Sequence, residues 1–278
     1  MRLCRFGANR LGVVDGDRVQ DVTAALDVIP AYRYPLPAGD MLMANLETVT
    51  ARARTIAPAG AMMPVAGLDL LSPVANPSKI IGAPVNYRKG GEDDAAIAAA
   101  MSIGLFLKAN SSLAGPSEGI ALRMMERQID HEVELAVIVG RKGARIPRSR
   151  ALEYVGAYAV ALDITPSGKE ERSLRKSPDT YTVVGPWLVT ADEIPDPGSL
   201  DLRLELNGEL KQEGNTRQMI RDVAAIIEYA SSFYTLYPGD IFLSGTPAGV
   251  GPMRPGDEIT ASIEKIGTMR VLVRKAEG

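Results

Sequence analysis

The 278-residue sequence has a single cysteine, Cys4, which excludes an internal disulfide and removes any need for an oxidising compartment. It has a single histidine, His131, which excludes a multi-histidine zinc site and would force any serine triad onto that one residue. Nowhere does it reach the ~20 uninterrupted apolar residues that span a bilayer, and Met1 to Val14 lacks the apolar core of a secretion signal. A cytoplasmic protein with no membrane partner is therefore expected. Charge of neither sign dominates: 31 basic residues face 34 acidic ones for a formal net charge of -3, which argues against a nucleic-acid partner. The ligands should be small molecules, handled by carboxylates, lysines or a metal.

What is present is ordinary globular composition, 46% hydrophobic and 23% charged, at a length that suits one large domain and a smaller one. Strand-like runs at Leu3 to Phe6, Leu11 to Val14 and Arg18 to Val19, with Asp15-Gly16 as a hairpin turn, open the chain. Met41, Leu42, Leu46, Val49 and Ala53 fall at helical spacing within Asp40 to Ile56. Pro64, Pro73 and Pro77 then punctuate an aperiodic linker, which divides a small β-containing N-terminal domain, 1–75, from a main domain, 76–278. In the main domain strands are expected at Lys79 to Ile81, Leu105 to Lys108, Glu132 to Val139, Ala157 to Leu162, Leu200 to Leu206, Asp240 to Leu243 and Glu258 to Ile263. One long helix is expected at Thr216 to Tyr234, capped by Asn215 or Thr216. Helices interrupt these strands without alternating with them, so the fold class is α+β and β-rich.

In the run Asp130-His131-Glu132-Val133-Glu134-Leu135-Ala136, Glu132 and Glu134 project from the same face if the segment is a strand, and His131 points away from them. Adjacent carboxylates repel, and more so as water is withdrawn, unless a cation or a shared proton compensates. A solvated acidic face paired with an arginine would satisfy the same spacing. Asp163 closes the apolar run Tyr154 to Leu162, where its carboxylate would be costly without a partner, although it could equally begin the turn Thr165-Pro166-Ser167-Gly168. Three carboxylates without cysteine suit Mg²⁺, Mn²⁺ or Ca²⁺. Such a site would keep a formal charge of about -1, so an anionic substrate needs further positive groups, for which Lys108, Arg175 and Lys176 are candidates.

These residues, followed by Lys176-Ser177-Pro178-Asp179-Thr180, Gly185-Pro186-Trp187-Leu188-Val189-Thr190, Asn207-Gly208-Glu209, Tyr237-Pro238-Gly239-Asp240 and Ser244-Gly245-Thr246-Pro247-Ala248-Gly249-Val250-Gly251, resemble the core of the fumarylacetoacetate hydrolase family in order, over roughly 78–275. The resemblance implies a mixed β-sandwich or roll catalytic domain, usually a homodimer, in which Mg²⁺ or Mn²⁺ chelates a 2-oxo acid or 1,3-dicarbonyl. It makes Glu132, Glu134 and Asp163 the metal ligands and Lys176 the catalytic lysine facing the substrate. It places Thr246 near the substrate carboxylate, with Gly245 of the same turn, Tyr87 and Lys108 completing the substrate-binding set.

Hydrolytic members of the family commonly carry Asn-Tyr-x-x-His-x-x-Glu on a lid, where the histidine and glutamate activate water. Here the segment is Asn86-Tyr87-Arg88-Lys89-Gly90-Gly91-Glu92-Asp93. Gly90 replaces the histidine, and Asp93 falls at the glutamate position, either as a catalytic carboxylate or as N-terminal charge for a helix over 92–101. Ser167 stands where the family often has arginine. The leading expectation is hydrolysis of a C–C bond in an acylpyruvate-like or fumarylpyruvate-like 2,4-diketo acid, with a metal-stabilised enolate as leaving group. Decarboxylation or isomerisation of a 2-oxo dicarboxylate, which needs no activated water, and metal-dependent binding without turnover are the alternatives.

Overall fold

A computed structural model describes residues 1–57, 61–88 and 90–277. Its N-terminal strands are β1 (Arg2–Phe6), β2 (Arg10–Asp15), β3 (Arg18–Asp21) and β4 (Met62–Pro64). Then follow β5 (Ile80–Gly82), β6 (Phe106–Lys108), β7 (Ile120–Leu122), β8 (Ile129–His131), β9 (Val133–Val139), β10 (Val155–Asp163) and β11 (Thr182–Thr190). The last five used below are β12 (Asp201–Leu206), β13 (Glu209–Asn215), β14 (Ile241–Leu243), β15 (Glu258–Ile263) and β16 (Gly267–Lys275).

One large mixed sheet runs in the order β4-β3-β2-β1-β11-β10-β9-β14-β5-β6, and a second runs β13-β12-β15-β16-β7. The N-terminal strands extend the main sheet, because β1 pairs antiparallel with β11, Leu3 opposite Leu188. Alternation along β9 sends Val133, Leu135, Val137 and Val139 into a core shared with Leu202, Leu204, Ile259 and Val271 of the second sheet. Ala136 and Ile138 turn to the opposite face, where they meet Leu42, Met43, Val49 and Ala53. With both faces covered, β9 is buried throughout, and its residues are apolar at nearly every position.

Local chemistry explains where the helices depart from the simple periodic reading. The 40–56 segment breaks at Asn45 into α1 (Met41–Ala44) and α2 (Leu46–Ile56), and the Asn45 amide donates to the Met41 carbonyl at 2.8 Å. The expected long helix at 216–234 divides into a 3₁₀ turn, Thr216–Gln218, capped by Asn215, and a true helix only from Val223 to Phe233. Asp222 starts the latter by accepting the Ala225 N–H at 2.8 Å, so a second cap, after that of Asn215, prevents one continuous helix. Pro186 sits inside β11 where the register with β10 shifts, the kind of position in which a missing N–H costs no ladder bond. Cys4 is fully buried, and burial pushes its thiol up to about 12, which leaves it unreactive. Among the described residues no helix is long and apolar enough to cross a membrane.

Asp40 ties the N-terminal elements to the segment entering β5. It caps α1 by accepting the Met43 N–H at 3.1 Å, while its other oxygen accepts the Ala75 and Asn76 N–H groups at 2.9 and 3.0 Å. Asp40→Ala should lower stability by about 1–3 kcal/mol, through the lost cap and weakened docking. Urea unfolding would show this as a lower midpoint at constant slope; a loss below about 0.5 kcal/mol would mean that the linker docks without it.

Candidate active site

Strand directions bring the acidic residues together. Because β9 is antiparallel to both β10 and β14, its N-terminal end lies beside the C-terminal ends of those strands. Glu134 stands opposite Ala161, and the Asp163 N–H donates to the Glu132 carbonyl at 3.0 Å. Glu132 falls between β8 and β9, one residue before the strand expected to begin with it. One carboxylate oxygen from each of Glu132, Glu134 and Asp163 lies within 4.8 Å of the other two. β5 runs parallel to β14, so the Ala83–Tyr87 loop and the Ser244–Thr246 turn leave the sheet at the same end.

Asp163 is clamped on both oxygens. The Lys108 ammonium reaches Oδ1 at 2.5 Å and the Lys176 ammonium reaches Oδ2 at 2.6 Å, with Lys176 also 3.0 Å from Glu132 Oε2. Burial pushes the Asp163 carboxyl up, but Lys108 and Lys176 outweigh burial and hold it below its ordinary value. The same carboxylates raise the Lys176 ammonium above its ordinary value in spite of burial, so it stays charged at neutral pH. Glu134 has no such cation of its own. Burial, followed by the Asp163 and Glu132 charges, raises it well above the usual carboxylate range, against the opposing pull of the Lys176 charge and then of the Gly245 N–H, at 2.6 Å from Oε2. Burial raises Glu132 as well, against the pull of Lys176.

Gly245 has φ of +91°, and a Cβ there would lie 2.7 Å from the Asn86 side chain, so glycine alone fits the turn that aims this N–H at Glu134. Thr246 accepts from Gln212 Nε2 at 2.8 Å and donates to the Val133 carbonyl at 2.8 Å. Gln212 Oε1 accepts the Val133 N–H at 3.1 Å and lies 3.1 Å from His131 Nδ1, which must therefore donate. Burial lowers His131, so the ring is neutral at neutral pH and braces the start of β9 through Gln212. Gln212 escaped the sequence reading; its signal was a polar residue at an inward position of β13, where it is fully buried.

A cavity of about 420 Å³ opens over these groups, within the range of small-molecule sites. Its lining includes Tyr87, Phe106, Glu132, Glu134, Asp163, Lys176, Gly245 and Thr246. The Tyr87 hydroxyl is buried without a hydrogen-bond partner among the described residues, and burial and then the Glu134 charge raise its pKa. Two expected site residues are placed elsewhere. Lys108, expected in the substrate-binding set, has its ammonium buried behind Asp163, donates also to the Tyr181 carbonyl at 2.6 Å, and is absent from the cavity wall. Asp93 is exposed and caps the helix α3 (Asp94–Ser102) by accepting the Ala96 N–H at 2.8 Å, away from the cavity wall. Lys89, in the same lid segment, lies outside the described residues. A larger hollow of about 680 Å³ on the second sheet, between Trp187, Arg203 and Arg217, contains none of the site groups.

Three clustered carboxylates, Glu134 and Asp163 buried and Glu132 half-buried, with a charged lysine at the ends of adjacent strands in a β-rich α+β fold, define a centre of the oxygen-ligand, carboxylate–lysine class. Residues 79–274 match the family described as fumarylacetoacetate (FAA) hydrolase C-terminal. The chain is 52% identical to maleylpyruvate hydrolase of Aquipseudomonas alcaligenes, over 99% of both proteins. It is 36% identical to the mitochondrial oxaloacetate tautomerase Fahd2a of Rattus norvegicus, over 75% of this chain and 70% of that protein. Its structure superposes with a TM-score of 0.87 on maleylpyruvate hydrolase from Sphingobium sp. SYK-6 in complex with manganese(II) and pyruvate, at 39% identity and full coverage of both chains. The chain belongs to the fumarylacetoacetate hydrolase family.

The raised Glu134 carboxyl has a consequence for the metal-free protein. A group whose folded pKa exceeds its unfolded value, about 4.3 for Glu, favours folding while protonated, and that contribution is lost as pH rises through the folded pKa. In chelator, Glu134→Gln should therefore melt higher than the wild type at neutral pH, by roughly 2–4 °C for each ~1 kcal/mol relieved. The gap should close as pH falls towards ~4.3. Calorimetry showing no gap at neutral pH, or one that widens on acidification, would contradict this charge balance.

Proposed function

We propose that this chain is a divalent-metal-dependent hydrolase that cleaves a C–C bond in a 2,4-diketo acid of the maleylpyruvate type and releases pyruvate. The observation that carries the proposal is the buried Glu132–Glu134–Asp163 cluster with Lys176 in contact, in a chain that matches a maleylpyruvate hydrolase along its whole length. The cluster fits a hard ion: all its donors are carboxylate oxygens, and burial leaves Glu134 short of positive charge. Glu132, Glu134 and Asp163 would hold Mn²⁺, Mg²⁺ or Ca²⁺, which when bound would act as a Lewis acid on the 2-oxo acid and offset the charge that develops at its oxygen.

The chain's own residues do the remainder. Lys108 fixes Asp163 from behind, and Gly245 fixes Glu134 from the side. Lys176, kept charged by three neighbouring carboxylates, places its ammonium beside the ketone region, where it stabilises anionic character without giving up its proton. Tyr87 and Thr246 line the cavity wall against which the substrate would rest, with the Thr246 hydroxyl held by Val133 and Gln212. In the overall reaction water supplies hydroxyl to C4, the C3–C4 bond breaks, C4 becomes a new carboxyl group, and C3 takes a proton to become the methyl of pyruvate. The proposal takes the homodimer as the working assembly, and sedimentation as a monomer at micromolar concentration would remove that part.

With Mn²⁺, the enol absorbance of maleylpyruvate should fall as pyruvate appears. Interconversion of oxaloacetate enol and keto forms without any C–C cleavage would instead assign the tautomerase reading, which Gly90 in place of the lid histidine favours. Glu132→Ala and Glu134→Ala should abolish manganese binding with circular dichroism unchanged; undiminished affinity in both would remove the ligand assignment. Lys176→Met should lower kcat by about 10²- to 10³-fold while changing manganese affinity far less. The reverse pattern would take Lys176 out of the chemistry.

A further inference from the structure

The cavity wall carries two cations that the proposed chemistry leaves unused. Arg172 and Arg175 belong to the short helix α4 (Arg172–Arg175), which Glu171 opens by accepting the Ser173 N–H at 2.6 Å. One turn of helix sets Arg172 beside Arg175 and Lys176, three and four residues on, and all three line the cavity over the carboxylates. Leu174 turns outward and is 71% exposed. Both guanidiniums line the cavity with the three carboxylates, yet neither makes an ion pair with any carboxylate among the described residues. Glu170, the nearby acid on the same loop, is taken by Arg127 at 2.8 Å. Arg175 Nη1 is anchored on the Pro166 carbonyl at 2.6 Å, which leaves its Nε buried and without a partner. A buried guanidinium N–H in that state is short of an acceptor.

Charge on the wall supports an anionic occupant. Glu132, Glu134 and Asp163 are matched by Arg172, Arg175 and Lys176, so the lining is formally neutral before any ion is present and about +2 with a divalent ion bound. Lys176 is committed to the carboxylates, whereas the arginines stand clear of them in the same cavity, where they can meet the far end of a ligand whose 2-oxo acid end lies at Glu132 and Glu134. Resting on the 2-oxo acid reading above, we infer that Arg172 and Arg175 form the subsite for a second, distal carboxylate and so select dicarboxylic over monocarboxylic 2-oxo acids. The planar guanidinium fork suits a carboxylate in bidentate or paired contact.

Two acids of equal length separate this from its alternatives: 2-oxoadipate, which ends in a carboxylate, and 2-oxohexanoate, which ends in a methyl. Titration calorimetry on the manganese-loaded protein should show the wild type preferring 2-oxoadipate by roughly 10- to 100-fold. Arg172→Met and Arg175→Met should each shrink that ratio, and the double variant should bring it close to unity. The Arg172 side chain makes no hydrogen bond among the described residues, so its variant remains informative if loss of the Arg175–Pro166 contact disturbs the loop. Arg175→Lys should retain part of the preference. Equal binding of the two acids by the wild type, or a ratio that survives in the double variant, overturns the arginine subsite alone. Binding of neither acid by protein that has taken up manganese overturns the 2-oxo acid reading itself.

Discussion

Everything at this centre depends on keeping an aspartate ionised in a place without water. Asp163 ends a strand whose residues are almost wholly buried, and an isolated carboxylate there would give up its charge. Two lysines from separate segments prevent that by occupying one oxygen each, and the outcome is a carboxyl held below its ordinary value although burial is the largest single influence on it. Lys108 arrives from the strand at the edge of the large sheet and Lys176 from the end of a one-turn helix. The clamp therefore also fixes how the 163–176 loop closes over the sheet. One of its lysines stands behind the site, since Lys108 is buried beneath Asp163 and off the cavity wall; the other bridges to Glu132 and lines the cavity.

The strand pairing extends this constraint to the two glutamates. Val133 opposite Leu162 and Ala136 opposite Leu243 leave no freedom in where the beginning of β9 sits relative to Asp163 and the Gly245 turn. A slip of one residue would send Glu132 and Glu134 into the apolar core and valines into the cavity. The Gln212 amide guards the register from the other side by holding the Val133 N–H, the His131 ring and Thr246 at once. Neutral His131 belongs to this brace, which is why the single histidine of the chain takes no part in the carboxylate cluster despite being its sequence neighbour.

Much of this was legible before any coordinates. Strands over Glu258–Ile263 and near 133–139, 157–162 and 201–206 announce themselves through local pattern, and the Glu132–Glu134 spacing is itself a geometric statement. What the chain alone hides is long-range partnership. Lys108 offered only its charge, so it read as a substrate contact; the fact that its ammonium ends on Asp163, 55 residues away, exists only once β6 and β10 are placed in one sheet. Asp93 offered both of its roles in advance, and the helix beginning at Asp94 decided for the cap. The 216–234 segment misled through its apolar spacing, since the hydrophobic period continues across a second cap that the period does not register. Gln212 was invisible for the opposite reason: it lies among charged residues on a strand that was not anticipated, and only burial marks it.

The electrostatics of the cluster also set how it can be filled. Glu134 is held above its usual range mainly by burial, then by Asp163 and Glu132, so in the metal-free protein it tends to keep a proton that an ion in the proposed holoenzyme must displace. Asp163, clamped by its lysines, needs no such exchange. The three carboxylates are thus unequal: one is fixed and charged beforehand, one shares Lys176 with it, and one would acquire its charge with a bound cation. That inequality keeps the empty cluster from the full repulsion of three carboxylates, and pH bears on it through Glu134, which accepts the Gly245 N–H, and through Glu132, which burial also raises. A glycine turn set by steric room at Asn86 and a pair of lysines on Asp163 are therefore parts of one device, in which the fold supplies fixed charge where it can and leaves one ligand free to respond.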